Sequence, residues 1–223
     1  NKGMLSTDTQ SKIAVAAFSE YGVSRPGTFV IAVGSPGGSN YSILTGSITS
    51  ATNVVSTMDQ NFSAISTDIV APDQKFGVLV NTSGEVVGVI QQNLRTDGSD
   101  STISAVSWAG IRPVINKMCD GIPIPYIGLA TSTVTQHIAD TYGMPMGVYV
   151  REVAMDSPGM AAGIQSGDVI IKINNVPISS DSGFSSQLLT KKVGDRVPII
   201  VKRKGANGYL SISFDVELGE LTK

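Results

Sequence analysis

Ser157-Pro-Gly-Met-Ala-Ala-Gly-Ile-Gln-Ser-Gly-Asp-Val-Ile-Ile-Lys-Ile-Asn-Asn175 is the stretch on which the fold turns. Ser157-Pro158 opens a short helix, Gly163 ends it, and Gly167-Asp168 turns the chain into an apolar strand running to Ile173. Around it, Thr133 to Tyr142 reads as a short helix stopped at Gly143, Val148 to Val153 as a strand, and Phe184 to Lys191 as a helix. Val197 to Arg203 and Tyr209 to Val216 alternate apolar with polar residues, placing Val197, Ile199, Val201 and Leu210, Ile212, Phe214, Val216 on one face. These elements make a small α+β domain.

Upstream, Thr28 to Val33, Ile43-Leu44, Gly46 to Ser50, Val78 to Val80 and Val86 to Ile90 are short β-rich runs cut by turn residues, the pattern of a barrel or sandwich. Asn81-Thr-Ser-Gly84 is a hairpin signal with Gly84 suited to positive φ. Ile111, Val114, Ile115 and Met118 follow helical spacing, with Pro113 expected in the first turn, and this helix is expected to close the first domain. Asp120-Gly-Ile-Pro-Ile-Pro125 reads as a stiff connector. The expected domains are therefore 1–119 and 122–220.

Composition removes several classes of function. Of 223 residues 15% are charged, with a net charge of −2, so no electrostatic footprint for nucleic acid or an anionic membrane surface exists. The single Cys119 has no internal disulfide partner, and with the single His137 it cannot assemble a zinc site. No metal or cofactor is expected. The first ten residues lack the pattern of a signal peptide, and no run of apolar residues is long enough to span a bilayer.

The quoted stretch resembles the central segment of a bacterial PDZ domain. Tyr126-Ile-Gly-Leu129 resembles the carboxylate-binding loop of PDZ domains in HtrA/DegP-type, trypsin-like serine proteases, and Val193-Gly-Asp-Arg-Val197 the turn before the last strands. Val30 to Gly38, Thr45-Gly-Ser-Ile-Thr-Ser50 and Gly84-Glu-Val-Val-Gly-Val89 are similar, in that order, to three segments of the second barrel of the HtrA protease domain. The resemblance implies a mainly β chain plus an α+β part: a chymotrypsin-like half-barrel followed by a PDZ domain. It also implies an extracytoplasmic, cell-envelope setting, with any membrane anchor upstream of Asn1.

The family's nucleophile would fall in a Gly-Asn-Ser-Gly-Gly turn. Here Ile69-Val-Ala-Pro-Asp-Gln-Lys-Phe-Gly77 stands in its place, Lys75 at the serine's position, with no Ser, Thr or Cys from Ile69 to Asn81. The glycines of the oxyanion hole are reduced to Gly77, and the family's catalytic His and Asp belong to a first barrel upstream of this sequence. The expectation is a pseudoprotease without catalytic residues. A solvated role is the ordinary one for a loop lysine such as Lys75, and a turn role for Ser83. His137 is expected at a helix surface, Cys119 as a buried small hydrophobe, and Asp97-Gly-Ser-Asp100 as too poor in ligands for calcium.

The resemblance assigns peptide binding to Tyr126, Ile127, Gly128 and Leu129, with Phe184 and Leu188 on the facing helix. A ligand would add as a strand beside Leu129, its carboxylate on the loop and its last side chain in an apolar pocket of Ile127, Leu129 and Leu188. The partners expected are protein C-termini or extended peptides. Two other readings stay open: a diverged member or fragment of an active HtrA-type endopeptidase, and a structural module that forms a homo-oligomer. Apolar surface on a barrel without its twin should be covered by self-association or by Ile13-Ala-Val-Ala-Ala-Phe18.

Overall fold

Strands dominate because the apolar runs are short, rich in Val and Ile, and bounded by residues that turn the chain. The computed structural model describes residues 6–19, 25–36, 41–71, 76–91 and 102–221. Lys75 and Asp97–Asp100 lie outside the described residues. The first part of the chain forms α1 (Thr7–Lys12), β1 (Phe29–Ser35), β2 (Ser42–Ser56), β3 (Asn61–Val70), β4 (Phe76–Val80), β5 (Val86–Ile90), β6 (Thr102–Ser107) and α2 (Trp108–Cys119). Then come β7 (Pro125–Tyr126), β8 (Leu129–Val134), α3 (Gln136–Tyr142), β9 (Gly147–Val153), α4 (Pro158–Ala162), β10 (Val169–Ile173) and β11 (Val176–Pro177). The chain ends with α5 (Asp181–Leu189), β12 (Arg196–Gly205), β13 (Gly208–Glu217) and β14 (Gly219–Glu220).

Two compact units result, one of residues up to Asn53 and Ala64–Ala109, the other of Val54–Ser63 and the chain from Gly110 onward. In the first, the strands close into a barrel in the order β1-β2-β3-β6-β5-β4 around Val30, Ile48, Ile65, Leu79 and Ile103. Gly34 of β1 faces Gly77 of β4 in this seam, at φ 132° and 142°. A Cβ at Gly77 would overlap the Val33 carbonyl oxygen, so this glycine serves barrel closure.

Gly84 has φ 80°, and Asn81 Oδ1 accepts from the N–H groups of Ser83 and Glu85, so Ser83 is an exposed turn residue as expected. Phe18 stacks on Trp108 with centroids 3.9 Å apart, while the main chain of Ala17–Ser19 pairs with Val86 on both sides. Among the described side chains of the N-terminal segment, Phe18 packs against Trp108 while Ile13 and Val15 stay 50% and 92% exposed.

Helix α2 departs from expectation. It begins at Trp108, which places Pro113 inside the helix rather than in its first turn, and the two units divide between Ala109 and Gly110. Only Trp108 of this helix is buried, and Cys119 is exposed rather than a core residue.

In the second unit the sheet order is β13-β12-β10-β9-β8, with β11 on β10 and a separate pair of β14 with β7. Its core holds Ile127, Leu129, Ile170, Phe184, Leu188 and Val201 among others. Ser157 and Gly163 cap α4 as read from the sequence, and Thr135 and Gly143 cap α3. Thr133 and Val134 belong to β8, so α3 starts later than its pattern suggested. Arg203 of β12 donates through Nε and Nη2 to both oxygens of Asp168, at 2.7 and 2.8 Å, and through Nη2 to Gly163 O, tying the α4 C-cap to the start of β10. No described helix is long and apolar enough to cross a membrane.

Candidate peptide-binding site

The stretch Ser157–Gly163 builds the site. Gly159 comes so close to the Tyr126–Leu129 loop that a Cβ there would lie 2.9 Å from Ile127 O, and its N–H donates to that oxygen at 2.8 Å. Ala154 N–H donates to Gly128 O at 2.9 Å. With the loop carbonyls held from behind and Gly128 at φ 83°, the N–H groups of Ile127, Gly128 and Leu129 converge on one point, a nest for an anion.

That point holds a carboxylate. Asp59 Oδ2 accepts from Ile127 N–H at 2.7 Å and Gly128 N–H at 2.8 Å, and Oδ1 accepts from Leu129 N–H at 2.8 Å. Asp59 sits in the turn between β2 and β3, within Val54–Ser63, which belongs to the second unit. Its own N–H donates to Leu129 O at 2.8 Å, the first main-chain bond an added strand would make beside β8. Burial raises the Asp59 pKa, against the opposing pull of the N–H groups of Gly128, Leu129 and Ile127. Burial, and next the Asp59 charge, raises the pKa of the Tyr126 phenol.

The turn reaches further along the groove. Asn61 N–H donates to Ser185 Oγ on α5 at 3.0 Å, and its Nδ2 reaches Thr131 Oγ1 on β8 at 3.1 Å. Asp181, in the first turn of α5, accepts from Thr133 N–H at 2.7 Å and from the hydroxyls of Thr131 and Thr133. The edge of β8 is thus occupied at Leu129 by Asp59 and at Thr133 by Asp181.

The closed arrangement carries costs. Asp59 has φ 63°, and a left-handed conformation costs an L-residue roughly 1 kcal/mol, somewhat less for Asp. Gln60 Nε2 and Asn61 Oδ1 are buried with no hydrogen-bond partner among the described residues. Each such group costs about 1–3 kcal/mol unless water reaches it.

Of the residues picked out in the sequence, Tyr126, Ile127, Gly128 and Leu129 are brought together as one loop. Ile127, Leu129 and Leu188, expected to form an apolar pocket, are 0%, 0% and 3% exposed, and Phe184 on the facing helix is 0% exposed, so no pocket is open between them. His137 is exposed on α3. No cluster of His, Cys, Asp and Glu fit to hold a metal occurs among the described residues. Sequence reading missed Asp59, Asn61 and Asp181, ordinary turn and cap residues by type.

Residues 125–214 match the family model of the PDZ domain. Serine protease Do-like HtrB of Bacillus subtilis (strain 168) is 30% identical over 218 residues, covering 88% of this chain and 47% of that protein. Over most of its length the chain is similar to HtrA/DegP-type serine proteases. A probable periplasmic DegP-like serine endoprotease of Marinomonas sp. (strain MWYL1) is 29% identical over 197 residues, covering 86% of this chain and 42% of that protein. Among solved structures, the HtrA-type protease AlgW with a decapeptide superposes with a TM-score of 0.68 at 20% identity, over 95% of this chain and 66% of that one. The chain spans about half the length of the curated HtrA relatives it matches. Its fold is one closed barrel of chymotrypsin-like type and a PDZ domain.

Proposed function

We propose that this HtrA-like chain is a non-catalytic protein whose PDZ domain takes protein C-termini or extended peptides, in extracytoplasmic quality control or signalling. One observation carries the reading: three successive N–H groups of the Ile127–Leu129 loop hold a carboxylate, that of Asp59. A peptide's terminal carboxylate offers the same two oxygens. The ligand strand would run beside β8 against α5, and its last side chain would meet Ile127, Leu129, Phe184 and Leu188 as the groove opens. Periplasmic DegP-like relatives support the extracytoplasmic setting.

Backbone pairing is blind to sequence, so a hydrophobic last residue should be preferred, with affinity on the order of micromolar because a flexible peptide is ordered on binding. A short peptide ending in Val or Leu should bind as the free acid and several-fold more weakly as the amide in calorimetric titration. Equal binding of both forms excludes capture by this loop.

The absence of catalysis rests on the residues between Ile69 and Asn81, none of which carries a hydroxyl or thiol. A fluorophosphonate probe should leave the chain unlabelled, and casein should remain uncut. Lys75→Ser should change neither result, because the glycines of the oxyanion hole are reduced to Gly77 and a serine without its oxyanion donors gains little. Stoichiometric labelling of any serine would instead favour an endopeptidase.

A further inference from the structure

We propose that Asp59 is an intramolecular ligand of the carboxylate nest, so that a peptide's C-terminal carboxylate binds only by displacing the turn between β2 and β3. The inference rests on the peptide-binding reading above and adds its regulation. Asp59 uses all three N–H groups of Ile127, Gly128 and Leu129, leaving none for a second carboxylate. Its own N–H occupies Leu129 O. Asn61 bridges Thr131 and Ser185, which stand on the two walls of the groove, β8 and α5. The turn therefore presents what an incoming chain end would present: a carboxylate, a main-chain bond to the start of β8, and a side chain between the walls.

The same turn is built to leave. Its charge-assisted contacts are those of the Asp59 carboxylate alone, while Gln60 and Asn61 each bury one polar atom with no hydrogen-bond partner among the described residues. A competing carboxylate replaces the charge-assisted bonds of the nest, and lifting the turn returns the buried polar atoms of Gln60 and Asn61 to water. The turn keeps a closing bond of its own, Thr57 N–H to Gln60 O at 2.8 Å, so it need not unravel when it lifts. Peptide affinity is then reduced by the fraction of molecules whose groove is open.

Asp59→Asn keeps the shape and removes the charge, and Asp59→Ala removes the ligand altogether. A free-acid peptide ending in Leu, titrated against the wild-type chain and both variants, should bind the variants about tenfold or more tightly. Amide hydrogen exchange at Ile127, Gly128 and Leu129 should be faster in both variants without peptide, and exchange at Asp59 faster in the wild type once peptide is added. Binding of equal strength to wild type and both variants overturns the internal ligand and leaves the peptide reading intact. No binding by any of the three proteins overturns both. Unchanged exchange at Ile127–Leu129 in Asp59→Ala also overturns the internal ligand.

Discussion

Arg203→Met is expected to destabilise the second unit by about 3–5 kcal/mol, the largest effect of any single substitution considered. The Asp168 side chain is 1% exposed, and its charge is balanced by the guanidinium of Arg203, itself 27% exposed and stacked over Phe214 at 5.4 Å. The pairing with Asp168 raises the Arg203 pKa. Removing Arg203 strands a carboxylate that retains only Gln165 N–H as a donor among the hydrogen bonds found for it, and leaves Gly163 O without its side-chain bond. Urea unfolding should show a lower midpoint with an unchanged slope. Adding Asp168→Asn to Arg203→Met should restore part of the loss by removing the stranded charge, although each substitution alone is harmful. The exposed pair Arg196–Glu217, at 72% and 61% exposure, is the control, worth about 0–1 kcal/mol. Equal effects of Arg203→Met and Arg196→Met would refute the argument.

Gly128→Ala is expected to erase the difference between free-acid and amide peptides, with a fall in free-acid affinity of roughly a hundredfold. An alanine at φ 83° costs about 1–2 kcal/mol in backbone strain. Its Cβ would also overlap Ser157 Cβ and lie 2.8 Å from Ser157 Oγ and 2.9 Å from the Tyr126 hydroxyl. Relief requires moving Ser157 off the α4 N-cap, where its Oγ accepts from Met160 N–H, at a cost of about 0.5–2 kcal/mol. Either adjustment turns the N–H groups of the loop away from their common point. A variant that folds and still discriminates acid from amide would show that the loop does not read the carboxylate.

How much of this was legible in the sequence depended on whether a residue's role was local. The caps at Ser157, Gly163 and Gly143, the turn at Gly84 and the alternating strand Val197–Val201 follow from neighbours a few residues away, and the structure reproduces them. Strands β3 and β6 gave no clear alternation, because Ser66, Thr67, Ser104 and Ser107 are buried beside apolar residues, with Thr67 Oγ donating to Ile103 O. Helix α2 misled because its apolar spacing serves a face that is only half-buried, so neither its start nor the exposure of Cys119 could be inferred. Asp59 was invisible for a different reason. An aspartate in a turn is commonplace, and nothing near it in sequence points to partners 68 to 70 residues downstream.

The barrel closes on itself, but the other sheet is open, with β13 at one border and β8 at the other. An uncovered strand of this kind is a template on which a second chain can polymerise. Asp59 at Leu129 and Asp181 at Thr133 take up main-chain groups of the β8 border with which a second strand would otherwise pair. A chain without the Asp59 side chain would offer the Leu129 end of that border to a second strand.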